Sequence, residues 1–477
     1  MAQIKTAFQM WPWQYWAEQR PTEIAIALGD ANAGAVTWNW IEVTANIETY
    51  AQRLVAQGVK RDQLVAVVAP NSIDVLWLLL AIIRVGARYV GLNPKLPSKA
   101  LIEQLTALGN NHIWCPELDT AEQLPGHTLS LNPAVTSERI IPVMWQEHRP
   151  VSLTLTSGST GLPKAVVHHP QSHLASASGL LKQMTFTADD SWLLSLPLFH
   201  ISGLAIVWRW LYRGARIVLV EPALQQQALQ WVSHASLVPT QLQRFLDSEY
   251  AHQHQLQQVL LGGATIPVSL TTAAEQAGIE CWSGYGMTEM ASTITVKRAN
   301  SSAGVGIVLP NRELILRDGE IWVRGKVLCL GYYRNNTIFS LLGCDDDDDD
   351  DDWFATKDLG EWHDDELFIR GRADNMFISG GENVQPEDIE QVLLQHAAVN
   401  QVIVLPIDDH DFGARPVAIV TTAQPLDSYL VDQLVTYMSQ NVAPHKRPIR
   451  YLSLPDCFTQ NVKVSRSDLA KWLASQA

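Results

Sequence analysis

Unbroken runs of β-branched and aliphatic residues, each followed by a stretch of helical apolar spacing, recur through the first half of the chain. Residues 64–69 (Leu-Val-Ala-Val-Val-Ala) form one run of strand length. Asn71 and Ser72 then supply a helix cap, apolar positions continue to Val85, and residues 87–92 read as a second strand. Strand, helix, strand in this order predicts a parallel sheet covered by helices, because parallel neighbours need a long crossover. The order returns with a strand over 192–196, a helix over 203–212 and a strand over 216–220, and the apolar segments 235–238 and 258–261 have the same character.

After about residue 304 the pattern changes. Residues 313–317 and 320–324 flank Asp318-Gly319, the composition of a two-residue hairpin turn, and 367–370 adds a further strand. These predict a β-rich lobe completing an N-terminal domain over 1–370. A C-terminal domain is expected over 371–477: Pro386 suits a first helical position, Glu387 and Asp388 its first turn, and Ile389, Val392, Leu393 and His396 share one face as packing residues. Strands over 399–405 and 416–421 and a helix over 430–438 complete it. The fold class expected is therefore α/β: a large N-terminal domain of parallel-type sheets plus a β-rich lobe, with a small mobile α+β C-terminal domain.

Composition narrows the class. Hydrophobic residues are 47% and charged residues 17%, which is globular rather than disordered. The net charge is −15, but residues 345–352 are all Asp, leaving about −7 elsewhere. Adjacent carboxylates repel one another, so that run reads as a solvated loop. The one basic cluster, His445, Lys446, Arg447 and Arg450, is too short to argue for nucleic acid. Five scattered cysteines without a CxxC pair read as reduced thiols of a cytoplasmic protein. The first twenty residues lack a signal-peptide pattern, and the longest apolar run, 75–83, is too short for a bilayer, so no membrane anchor is expected. A homo-oligomer is left open. His169 and His173 are spaced i,i+4 but lack a third metal ligand in sequence.

The chemistry concentrates in residues 156–164. Thr156, Ser157, Gly158, Ser159, Thr160 and Gly161 follow an apolar strand, and Lys164 closes the segment. Hydroxyls, close backbone approach at the glycines and one ammonium group are what a polyphosphate requires. The spacing is not that of a Walker loop.

With four further motifs in order, the chain resembles the acyl-adenylate-forming superfamily of acyl-CoA synthetases, adenylation domains and luciferases. The motifs are Gly284-Tyr285-Gly286-Met287-Thr288-Glu289, the segment 356–360 around Asp358, the segment 371–375 followed by 379–382, and Thr459, Lys463 and Arg466. The resemblance implies ATP, Mg²⁺ and coenzyme A as reactants. It implies that the 156–164 loop cradles the β- and γ-phosphates, and that Gly262, Gly263, Ala264 and Tyr285 border the adenine. Thr288 would bond phosphate oxygens and Glu289 would help hold the metal. Asp358 would accept from the ribose hydroxyls, and Arg372 would bind near the ribose or phosphates. Lys463 would bridge the acid and the α-phosphate, with Asp374 as the hinge of a rotating C-terminal domain. Two departures stand out: Val462 precedes the lysine where the family usually has Gly, and 376–378 lacks a lysine.

The segments 196–203, 208–212, 233–242 and 380–387 further resemble the subfamily that activates o-succinylbenzoate, an aromatic dicarboxylate, for menaquinone biosynthesis. That resemblance implies a pocket with a cation for the second carboxylate. Arg209 is the candidate, with Ser202 as donor and His200 beside the acyl channel. As a bare residue Arg209 reads equally well as a helix-surface charge. Another acyl- or aryl-CoA ligase, and a catalytically silent nucleotide-binding protein, are the alternatives.

Overall fold

The computed structural model describes residues 8–29, 34–116, 124–132, 143–156, 163–263, 266–299, 302, 304–334, 336–342, 352–409, 411–459 and 464–476. By contact the chain divides into two compact units, Met1–Glu313 with Arg324–Phe354, and Leu314–Val323 with Ala355–Ala477.

The first unit is built on two large sheets. In the eight-stranded sheet, Leu64–Val68 lies between parallel neighbours Arg88–Leu92 and His112–Trp114, with Val65 opposite both Tyr89 and His112. The crossover helix Ile73–Val85 is buried along almost its whole length, which is why its sequence is apolar on every side. Ser72 Oγ caps it by accepting from Val75 N at 3.2 Å, and Gly86, at φ +84°, ends it in the left-handed region. Asn71 has a different task. Its side chain donates to Leu196 O (2.8 Å) and accepts from Leu198 N (2.8 Å).

The nine-stranded sheet has a parallel centre of Gln258–Leu261, His234–Leu237, Ser191–Leu193, Arg216–Leu219 and Ile24–Leu28. The strand expected over 192–196 stops at Leu193. Beyond it the chain leaves the sheet, held by Ser195 Oγ donating to Ser236 O at 2.5 Å and by the Asn71 clamp on Leu196. Helix Ile201–Arg213 follows and packs into a core that contains Trp13, Trp40, Trp192, Trp208 and Trp210.

The second unit holds most of a four-stranded sheet ordered Arg312–Arg317, Glu320–Gly325, Phe354–His363, Glu366–Arg372. Asp318 and Gly319 both have positive φ (+51° and +80°), the conformation of a two-residue turn that matches strand twist. A five-stranded sheet runs Glu382–Val384, Phe377–Ser379, Gly413–Thr422, Val399–Asp409, with Arg450–Ser453 parallel to Gly413–Thr422. Helix Pro386–Leu394 begins on its proline and buries Ile389 and Leu393, and the His396 ring meets Tyr437 edge-on at 5.1 Å. No helix among the described residues is long and apolar enough to cross a membrane.

Candidate active site

The strands Ser152–Thr156 and Lys164–His168 pair antiparallel with Thr156 opposite Lys164, which sets the two described ends of the proposed phosphate loop side by side. Ser157, Gly158, Ser159, Thr160 and Gly161 lie outside the described residues. Lys164 is exposed, with Nζ 4.8 Å from the centre of the Tyr332 ring. Tyr332 comes from the strand Gly331–Arg334, which pairs with Lys164–His168 so that Tyr332 faces Val166. Its hydroxyl donates to Glu289 Oε1 at 2.9 Å. Glu289 is only 8% exposed, and its carbonyl accepts from Cys329 N at 2.8 Å. Tyr332 thus links the loop lysine to the acid of the next motif; nothing in the local sequence around Tyr332 marks it.

The glycines of that second motif answer to backbone crowding. A Cβ at Gly284 would meet Thr295 O, and one at Gly286 would meet Ser292 O. Tyr285 O accepts from Ile294 N (2.7 Å) and Thr295 N (3.1 Å), and the chain then tightens into the 3₁₀ turn Thr288–Met290. Gly262 and Gly263 follow the C-terminal end of the parallel strand Gln258–Leu261, where ligands of such sheets bind. No described residue lies within 4 Å of a Cβ built at Gly262, which leaves space beside the backbone there among the described residues. Ala264 lies outside the described residues.

The candidate acid pocket is organised by helix Ile201–Arg213. Gly203 lets its first turn rest on the Pro197 carbonyl, where a Cβ would collide. His200 is the exposed N-cap, its ring edge-on to Phe199 at 4.7 Å. Ser202 is half-buried. Arg209 is two turns further along, on the same side. It is 2% exposed, its Nη1 donates to Ser236 Oγ at 3.2 Å, and its guanidinium lies 5.1 Å from the Trp192 ring. Among the described residues no carboxylate pairs with it, and burial pushes its pKa down to about 9. A buried cation without a counter-charge costs stability unless a ligand supplies one.

In the second unit Asp358 and Arg372 face each other across adjacent strands, with Nη1 to Oδ1 at 2.9 Å. The same guanidinium grips Asp374 through Nε (2.8 Å) and Nη2 (3.1 Å), which lowers the Asp374 pKa. Gly371, at φ +143°, sits where a Cβ would press on Gln385 and Glu387. Lys463 and Val462 lie outside the described residues. Arg466, just beyond them, anchors its segment: it donates to both Glu390 oxygens (2.6 and 2.7 Å) and to Val404 O (2.8 Å).

His169 and His173 each hold a hydrogen bond inside the first unit. His169 Nδ1 caps helix Pro170–Leu180 by accepting from Ser172 N at 2.9 Å, and His173 Nε2 meets Ser152 Oγ at 2.9 Å.

The sequence model of the AMP-binding enzyme family matches residues 13–333, and that of the AMP-binding enzyme C-terminal domain matches 388–457. The 2-succinylbenzoate--CoA ligase of Haemophilus influenzae is 42% identical over 98% of this chain and 99% of its own. Its Escherichia coli counterpart is 42% identical with the same coverage. Among solved structures, an arginine-to-lysine variant of E. coli MenE with bound OSB-AMS superposes with a TM-score of 0.87 at 40% identity, covering 99% of this chain and 100% of that one. The o-succinylbenzoate CoA synthetase from Bacillus subtilis, in complex with the acyl-adenylate intermediate OSB-AMP, gives 0.81 at 26% identity, with 96% of each chain covered.

Proposed function

This chain belongs to the AMP-binding enzyme family, and from that premise we propose that it ligates o-succinylbenzoate to coenzyme A through an acyl-adenylate, as an AMP-forming acid–thiol ligase of menaquinone biosynthesis. A carboxylate is a poor acyl donor because oxide is a poor leaving group. In the first half-reaction the succinyl carboxylate oxygen attacks the α-phosphorus of ATP, forming a mixed anhydride and releasing pyrophosphate. In the second, the thiolate sulfur attacks the acyl carbon, forming the thioester and releasing AMP.

Arg209 is the observation that carries the substrate assignment. A dicarboxylate activated at one end leaves its benzoate charge to be held, and a buried guanidinium with no carboxylate partner among the described residues is suited to that. Ser202 and His200, on the same helix, would flank the acyl chain. A monocarboxylate would leave the cation unsatisfied.

Lys164 and the hydroxyls of the loop would hold the β- and γ-phosphates, and Thr288 would bond phosphate oxygens. Gly262, Gly263 and Tyr285 would border the base, and Asp358 with Arg372 the ribose. Glu289 fits a magnesium ion that rides on the nucleotide. It is a buried carboxylate with Oε1 engaged by Tyr332, and Mg²⁺ takes few protein ligands beside phosphate. Bound there, the ion would neutralise phosphate charge. Lys463 would stabilise the crowded negative charge of the first step, and rotation of the domain beginning at residue 371, about Asp374, would withdraw it for the second. A cytoplasmic location suits the ATP and coenzyme A it consumes.

An acid panel with ATP, Mg²⁺ and coenzyme A tests the assignment. The aromatic diacid should be turned over with kcat/KM at least about a hundredfold above benzoate and short monocarboxylates. Equal use of a monocarboxylate would move the protein to another ligase of the family.

A further inference from the structure

Beneath the hairpin that carries the phosphate loop lie two histidines, His168 and His173, with exposures of 0% and 1% and ring centroids 4.9 Å apart. His168 ends the strand that leaves the loop and faces Ser152, the first residue of the strand that enters it. The Thr288 backbone lies beside His168. Ser152 Oγ is 2.9 Å from His173 Nε2, and on its other side the His173 ring stacks on Trp208 at 4.9 Å and an interplanar angle of 7°. Trp208 directly precedes Arg209 on the helix assigned to the acid. His173 therefore touches the nucleotide hairpin and the acid helix at once, and burial keeps its imidazole neutral. A residue that only filled space here could be apolar. The ring is instead oriented by a buried hydrogen bond to the strand of the phosphate loop, in a packed interior where small displacements are transmitted.

We propose that His173 is a positioning residue that couples the two substrate sites, registering the phosphate-loop strand through Ser152 and the Arg209 helix through Trp208, so that bound nucleotide tightens binding of the acid. The inference rests on the assignment of Arg209 to the acid pocket. His173→Phe keeps the stack and the volume but loses the hydrogen bond, Ser152→Ala removes the bond from the other side, and His173→Gln offers an amide to Ser152.

The acid KM should be measured at low and at saturating ATP in the wild type, the three single variants and the Ser152→Ala/His173→Phe double variant, beside their melting temperatures. In the wild type the acid KM should fall about fivefold as ATP saturates. That ratio should collapse towards one in His173→Phe, in Ser152→Ala and, no further, in the double variant, and His173→Gln should restore most of it. A wild-type ratio of one overturns the proposal. So do single-variant losses that add in the double, or variants that lower only the melting temperature. A wild type that releases no pyrophosphate overturns this inference and the function together, whereas an active wild type whose acid KM ignores ATP overturns this inference alone.

Discussion

Replacing Arg209 by Met should stabilise the ligand-free protein and leave it nearly blind to its acid. Burial pushes the guanidinium pKa down to about 9, which corresponds to a penalty of about 5 kcal/mol on the charged form. The hydrogen bond to Ser236 and the contact with Trp192 return roughly 1 kcal/mol each, leaving a net cost of about 3 kcal/mol. Methionine keeps most of the packing of the arginine stem without the charge. The variant should therefore unfold at higher urea concentration, by about 1–3 kcal/mol in the transition of the first unit. Losing a buried charge partner costs about 2–5 kcal/mol in binding, so the acid KM in a pyrophosphate-release assay should rise at least roughly 30-fold. The KM for ATP should change little. A variant that is less stable than the wild type and keeps its acid KM would show that Arg209 is a structural strut whose charge the protein itself satisfies.

Glu289→Gln can still accept from Tyr332 but loses the carboxylate charge; adenylate formation should fall about a hundredfold or more, with melting temperature nearly unchanged, and full activity would remove Glu289 from the metal site. Lys463→Ala should abolish adenylate formation while thioester formation from pre-made adenylate stays within about tenfold of wild type; equal loss of both half-reactions contradicts its role. Stability should depend on pH through the buried histidines. Burial lowers His168 to about 3 and His169 to about 4, and holds His173 well below its usual value. The unfolded chain binds these protons near pH 6.5 and the folded one does not. Stability is then fully present above pH 6.5 and declines towards pH 4, by about 1 kcal/mol per histidine between pH 6.5 and 5.5. Urea midpoints that stay flat from pH 7 to 5 would refute this.

The parallel centre of each sheet was legible because strands buried on both faces carry unbroken apolar runs, as in Leu64–Val68. The Ser72 cap, the Asp318-Gly319 turn and the Pro386 helix start were legible because each depends on neighbouring residues alone. Contacts between distant segments were not. Tyr332 meets Glu289 across 43 positions, through a strand pairing that no local pattern announces. Residues 194–196 are as apolar as the strand before them, yet Ser195 and Asn71 draw them out of the sheet ahead of helix Ile201–Arg213. Arg209 read equally well as surface or pocket from spacing, and its burial beside Trp192 removes the surface reading. The segment around Lys463 rests on motif spacing, with Arg466 anchored next to it.

The most direct test omits the thiol. Purified protein mixed with ATP, Mg²⁺ and o-succinylbenzoate should release a burst of pyrophosphate close to one equivalent per enzyme and retain the acyl-adenylate. Later addition of coenzyme A should convert that adenylate to thioester and AMP. Release of ADP and phosphate instead, or no pyrophosphate until the thiol is present, would contradict attack of a carboxylate on the α-phosphate.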